Sequence, residues 1–203
     1  MVRAHMREHY YRFTTIEHLV IRDDLYDVHA IARTIGQDVL LENGLERWST
    51  QTALVNGAAA VLAIASTNEE ACRSTAQVAV ACALCHRDAK VSAMFGSPLP
   101  PPRDDASVAA RMARHVWATD RLSDGIIGAA DDSWNAGLEL LARTPAPSVA
   151  SDARRADAAR QLQELAAAAR RTNQRDLMTR AGTYGEILVA CSNCHTRDRA
   201  PSP

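Results

Sequence analysis

Apolar residues recur every three or four positions over much of the chain, the spacing that places them on one face of an α-helix. The first such stretch covers residues 3–21. The positions that carry its pattern are Met6, His9, Phe13, Ile16 and Val20. The spacing predicts that the chain opens with an amphipathic helix.

Further helices are predicted from the same periodicity and from residues that begin or end helices. Thr67 is expected to begin one of them, because Glu70 follows at the spacing of a capping box. Asn43-Gly44 ends another, and Pro145 and Pro147 break the chain between two more. The predicted helices cover about 24–41, 45–65, 67 to just beyond Cys85, 105 or 107 to 127, 131–143, 151–171 and 173–195.

The two halves of the chain repeat one another. An offset of 106 positions aligns the first predicted helix with the fifth, and an offset of 109 aligns residues 80–86 with 189–195. The pairs aligned by the first offset include Met6 with Met112 and His9 with His115. Each half therefore contains four predicted helices.

Four antiparallel helices joined by short loops form an up-and-down bundle, so the expected fold class is all-α, with two tandem four-helix bundles. A proline-rich segment separates the repeats, and proline both removes a hydrogen-bond donor and stiffens a linker. We expect a first bundle over residues 1–95, a linker over 96–104 and a second bundle over 105–203.

Composition narrows what these bundles can hold and bind. Hydrophobic residues make up 47% of the 203 residues, yet only two Phe, four Tyr and three Trp are present. A core built mainly from Ala and Leu leaves space that a large, flat cofactor would fill. The formal net charge of −1 shows no excess of positive charge of the kind that indicates nucleic-acid binding. The longest apolar runs, such as 58–65, are far too short to span a bilayer.

Each repeat ends its last predicted helix with the sequence C-x-x-C-H. The cysteines are Cys82 and Cys85 in the first half and Cys191 and Cys194 in the second, followed by His86 and His195. In this pattern, typical of c-type haem attachment, the two thiols form thioethers to the haem vinyl groups and the histidine binds the iron. The sequence thus predicts two covalently bound haem c groups.

Two other chemistries use cysteine pairs. A zinc site could combine two C-x-x-C pairs, although here each pair lies in its own apolar helix with its own histidine. A redox dithiol uses one pair, but no βαβ pattern surrounds either of these. Cys72 is left over from both motifs, and we expect it to be a small buried residue.

Residues 184–195, which end with the second motif, resemble the last helix of the class II c-type cytochromes, the cytochrome c-prime family. The opening pattern Met6-x-x-His9-Tyr10 resembles the first helix of that family. The resemblance covers both halves and implies four-helix bundles with haem bound to the last helix. The family unit is usually single and somewhat longer, whereas two short units are joined here.

The resemblance also implies that the first helix of each bundle faces the distal side of the haem, opposite the motif histidine. His9 and His115 are the expected distal ligands, with Met6 and Met112 as the alternative, because both pairs recur at equivalent positions. Each of these residues could instead serve only packing. His5, His18 and His29 have no counterpart in the second half, and we expect them to face solvent.

Three functions are compatible with this set of residues. A six-coordinate dihaem cytochrome would transfer electrons between redox partner proteins, and it is the main hypothesis. An open distal site would instead bind nitric oxide or carbon monoxide, as in part of the resembling family. An enzyme would need an open site and a placed acid–base residue, and no such residue stands out.

The predicted chemistry also bears on location and assembly. Covalent haem attachment normally takes place outside the cytoplasm, so we expect a periplasmic or otherwise extracytoplasmic protein. Residues 1–5 carry no apolar signal core, and we therefore expect a chain from which the export signal has been removed. A helical bundle could also form a homo-oligomer, in which copies of the chain associate through the outer faces of their helices.

Overall fold

The structure is a computed structural model that describes residues 2–37, 48–91, 99–105, 107–144, 153–172 and 174–195. These ranges contain eight α-helices and no strand, which confirms the all-α prediction. In chain order the helices are α1 (Val2–Ile21), α2 (Leu25–Gly36), α3 (Ser49–Leu62), α4 (Asn68–Asp88), α5 (Val108–Ile127), α6 (Asp131–Arg143), α7 (Ala153–Thr172) and α8 (Leu177–His195).

Local sequence signals fix several helix starts. The predicted capping box is confirmed at α4, where the Thr67 side chain accepts a hydrogen bond from the Glu70 N–H and the Glu70 carboxylate accepts one from the Thr67 N–H. Ser107 caps α5 in the same way by accepting from the Ala110 N–H. The predicted ends near 38–47 and the break at Pro145 and Pro147 lie outside the described residues.

Within each half, helices that are adjacent in the chain pack against one another. The two halves also pack against each other. Helix α4 lies along α8 over one of the largest helix–helix contacts, while α1 also contacts α8 and α5 also contacts α4. One hydrophobic cluster draws on all eight helices. Its members include Phe13, Val28, Leu62, Ala76, Leu122, Leu138, Leu162 and Leu188.

Helices α4 and α8 run antiparallel, as their paired residues show. Arg73 of α4 binds Glu186 with an Nε–Oε1 distance of 2.8 Å, and Asn68 donates to the Ser192 hydroxyl near the other end of the contact. Gly185 allows the close approach, since a Cβ atom there would lie 3.3 Å from the Arg73 Cα. The end of α4 and the end of α8 therefore point in opposite directions.

The described part of the proline-rich linker, which precedes α5 in the chain, packs against that helix. The Trp117 indole N–H donates to the Leu99 carbonyl at 2.8 Å, and Arg114 donates to the Pro102 carbonyl at 3.0 Å. Within the described ranges, none of the helices has the length and apolar character needed to cross a membrane, in agreement with the sequence prediction.

Candidate functional site

Both C-x-x-C-H motifs lie in the last turns of helices that the core holds in place. In α8, Cys191 is buried, Cys194 is half-buried and His195 is the exposed final residue. In α4, Cys82, Cys85 and His86 are all half-buried. None of the five cysteines, each in a described part of the chain, forms a disulfide bond. Cys72 is completely buried, which confirms that prediction.

Burial favours the protonated thiol at Cys82, Cys85 and Cys191. It raises the pKa of Cys82 to about 12, and it also raises the pKa values of Cys85 and Cys191. A redox dithiol needs a lowered thiol pKa, so this environment does not favour that alternative. Zinc is not favoured either, because no three His, Cys, Asp or Glu residues in the described ranges are grouped to hold a metal ion.

The proposed axial histidines of the second half lie close enough to interact. The pKa of His115 is lowered to about 4, with burial as the largest cause and the positive charges of His195 and Arg114 acting in the same direction. The His115 Nε2 atom is buried and has no hydrogen-bond partner among the described residues. A neutral imidazole with a buried nitrogen and no hydrogen-bond partner fits an iron ligand.

His195 is surrounded by residues of three other helices or helix ends. Packing lowers the pKa of its imidazole although the residue is exposed, and the charges of Arg22 and Arg155 act in the same direction. Arg22 follows α1, Arg155 lies in α7, and His115 lies in α5. Charged groups on α1, α5 and α7 or at their ends thus act on, or are acted on by, the end of the second motif.

The first motif has a different environment. Burial lowers the pKa of His86, while a hydrogen bond with the Ile127 backbone opposes that shift. The His86 Nδ1 atom is buried without a hydrogen-bond partner in the described part of the chain. The His9 ring packs against His5, with ring centroids 4.2 Å apart. His86 is thus placed against the end of α5, in the other half.

Met6 and Met112 are half-buried on α1 and α5, one turn before His9 and His115. Neither methionine belongs to the fully buried core. The choice between methionine and histidine as distal ligand therefore stays a prediction.

The prediction that three histidines face solvent is wrong. His29 is half-buried, and its Nε2 atom lies 3.0 Å from the Ala65 carbonyl oxygen. His18 is also half-buried and lies 3.9 Å from an Asp120 carboxylate oxygen. His5 packs on His9 as described above. Helix periodicity did not place these residues, because their burial depends on helices from elsewhere in the chain.

A buried polar cluster lies where α1, α5 and α8 meet, and the sequence analysis missed it. Glu17 and Asp124 are completely buried, and Asp120 is half-buried. Asp124 accepts from the Tyr10 hydroxyl at 2.7 Å and pairs with Arg121 at 2.6 Å. A signal was present, because Glu17 interrupts the apolar face of α1.

Burial dominates the ionisation of this cluster. The pKa of Glu17 is raised to about 8, with burial as the largest cause and the negative charge of Asp120 as the next. Burial also raises the pKa values of Asp120, Asp124 and Tyr184. Raised carboxyl pKa values in a buried cluster are typical of functional sites, although structural networks produce them as well.

Arg180 is a buried cation that contacts several parts of the second half. It donates to the carbonyls of Gly125 and Gln174 at 3.0 Å, pairs with Asp131, and lies over the Trp134 ring, 5.4 Å from its centroid. Arg180 lies in α8 and every one of these partners belongs to the second half, so it supports the packing of α8 within that half.

Comparisons with family models, with curated proteins and with solved structures returned no match.

Proposed function

We propose that the chain is a dihaem c-type cytochrome that transfers electrons, with one haem on each C-x-x-C-H motif. The observation that supports the proposal is that the His195 charge acts on the buried imidazole of His115, whose Nε2 atom has no hydrogen-bond partner among the described residues. His195 and His115 are the expected proximal and distal ligands of the second half.

Covalent attachment is compatible with the motif cysteines, since none of them forms a disulfide bond. Each attachment adds the cysteine S–H across a vinyl double bond: sulfur bonds to one vinyl carbon and hydrogen to the other, and no group leaves. Cys82, Cys85, Cys191 and Cys194 would hold the two haem groups, and His86 and His195 would bind iron. The bound iron would supply one-electron chemistry.

The protein residues would set how that electron is exchanged. His115 as a sixth ligand would keep the iron coordination unchanged between oxidation states, and His9 would do the same in the first half. Burial of the cysteine end of each motif would exclude water from one edge of the haem and so tune its reduction potential. We propose the same tandem organisation as above, with two four-helix repeats that share packing between α4 and α8, in a periplasmic or otherwise extracytoplasmic protein.

Mass spectrometry of the full chain, expressed with a haem-attachment system, tests the proposal directly. The expected result is two haem groups per chain, one in the Cys191→Ala/Cys194→Ala variant and two in the control variant Cys72→Ala. A chain without covalent haem would overturn the proposal.

Absorption and electron paramagnetic resonance spectra test the distal ligands. Low-spin iron in the full chain and a high-spin signal from one haem in His115→Ala are expected, with His29→Ala as the control. Retained low-spin iron in His115→Ala, with loss in Met112→Ala, would assign methionine instead. High-spin iron in the unaltered chain would favour the alternative function, binding of nitric oxide or carbon monoxide at an open site.

A further inference from the structure

Three carboxyl groups meet at the junction of α1, α5 and α8, and two of them have positively charged or ionisable partners. Asp124 pairs with Arg121 at 2.6 Å, and Asp120 lies 3.9 Å from the His18 Nε2 atom. Glu17 is completely buried, and no cation pairs with it among the residues that the structure describes. The third carboxyl group therefore has no counter-charge.

Hydroxyl groups approach Glu17 but do not compensate a charge. Tyr184 and Thr119 face its carboxyl group, yet neither reaches ordinary hydrogen-bond geometry. The Thr119 hydroxyl already donates to the Val116 carbonyl at 3.0 Å. The two hydroxyls lower the pKa of Glu17, but burial raises it by more, so an ionised carboxylate without a paired cation is disfavoured relative to the neutral acid.

The ionisable groups around Glu17 come from three helices. They are Tyr10 and His18 on its own helix, Asp120, Arg121 and Asp124 on α5, and Tyr184 and Cys191 on α8. The pKa of Glu17 is raised to about 8, with burial as the largest cause. The charge of Glu17 also acts on the buried thiol of Cys191, so its field reaches the second motif.

We propose that Glu17 is a proton-binding site coupled to the oxidation state of the haem held by Cys191 and Cys194. The inference rests on the proposed function. Glu17 would take one proton from solvent and become the neutral acid when an electron from a donor protein added negative charge to a haem held there. By reciprocity, protonated Glu17 would favour the reduced state of that haem.

Redox potentiometry of the holoprotein between pH 6 and pH 10 tests this coupling. The midpoint potential of one haem is expected to fall as pH rises, and Glu17→Gln is expected to flatten that dependence. Glu139→Gln removes an exposed carboxyl group on α6 and should behave like the unaltered chain. His18→Gln should keep the dependence, which separates Glu17 from the neighbouring imidazole.

Infrared spectroscopy gives a second measurement that does not depend on haem. A carbonyl band of a buried protonated acid is expected at pH 6, and it should be missing from Glu17→Gln. Absence of that band in the unaltered chain would overturn the proton site. Two bound haems with potentials that do not depend on pH would overturn the coupling alone, and a chain without covalent haem would overturn the proposed function as well.

Discussion

Glu17 occupies a position that the helical pattern of α1 reserves for apolar residues. Phe13, Ile16 and Val20 on the same face are buried with it. A sequence pattern can show that a polar residue interrupts an apolar face. It cannot show whether a cation from another helix compensates the charge, because that depends on long-range packing.

The raised pKa of Glu17 predicts how stability depends on pH. The folded pKa of about 8 exceeds the ordinary value of 4.5, so the folded chain binds the extra proton between these limits. The contribution is fully present below about pH 4.5 and is lost as pH rises to about 8. The free energy of unfolding should fall through this window by up to about 1.4 kcal/mol per pH unit.

Denaturant unfolding followed by circular dichroism checks this dependence at several pH values. In Glu17→Gln the contribution of this residue to the slope should disappear, while Glu139→Gln should match the unaltered chain. Equal slopes in all three proteins would show that Glu17 is ionised in the folded state.

Arg180 is a buried cation whose partners are all in place. Arg180→Ala should lower the free energy of unfolding by about 3 kcal/mol, because it leaves the Gly125 and Gln174 carbonyls without their donor. Arg160, which forms only exposed pairs on α7, is a matched control, and Arg160→Ala should change stability by less than about 1 kcal/mol. Similar losses in both variants would contradict the structural role.

At the scale of helices, glycine decides how closely α5 and α6 approach. A Cβ atom on Gly137 would lie 2.7 Å from the Ala118 carbonyl oxygen, and one on Gly125 would lie 2.7 Å from the Trp134 Cβ. Neither contact could be relieved without moving backbone or a large buried side chain. The close packing of α5 against α6 therefore depends on glycine at these two positions.

Gly137→Ala should destabilise the chain by about 2 kcal/mol because it forces α5 and α6 apart. Gly182 provides the control, since a Cβ atom there meets nothing within 4 Å. Gly182→Ala should instead stabilise α8 by up to about 1 kcal/mol through helix propensity. Thermal unfolding of the two variants measures both effects, and a loss of stability in both would contradict the packing argument.

Helix positions were the most predictable part of the fold. The start of α5 next to Ser107 and the capping box at Thr67 follow from local hydrogen bonds that the sequence encodes directly. The contact between α4 and α8 was not predicted. Periodicity identifies a buried face but not the helix that covers it, and so it could not find the junction around Glu17.

The same distinction applies to the candidate site: groups of adjacent residues could be recognised in the sequence, and contacts between distant residues could not. The four motif cysteines and their histidines could be named from sequence because attachment chemistry requires adjacent residues. The assignment of His115 as the distal partner of His195 stays a prediction, although the charge of His195 acts on the His115 imidazole. The contact of His86 with Ile127 crosses between the halves, and alignment of one repeat on the other cannot detect it.

For the whole molecule, the shared core predicts that the halves depend on each other. Chains covering 1–98 and 99–203 separately would each expose the surface where α4 meets α8, including Gly185 and Ala76. Each should show reduced helicity and a broad thermal transition by circular dichroism, and mixing the two should restore a sharp one. Sharp, independent transitions of the separate halves would contradict this prediction.

The antiparallel course of α4 and α8 has a consequence for encounters with other molecules. Cys191 interacts with Cys72, and Cys82 lies ten residues further along α4. Ten residues of helix rise about 15 Å, so the two motifs lie at opposite ends of one shared axis. If both motifs carry haem as proposed, a donor and an acceptor could dock at the same time, one at each end, without competing for a single surface.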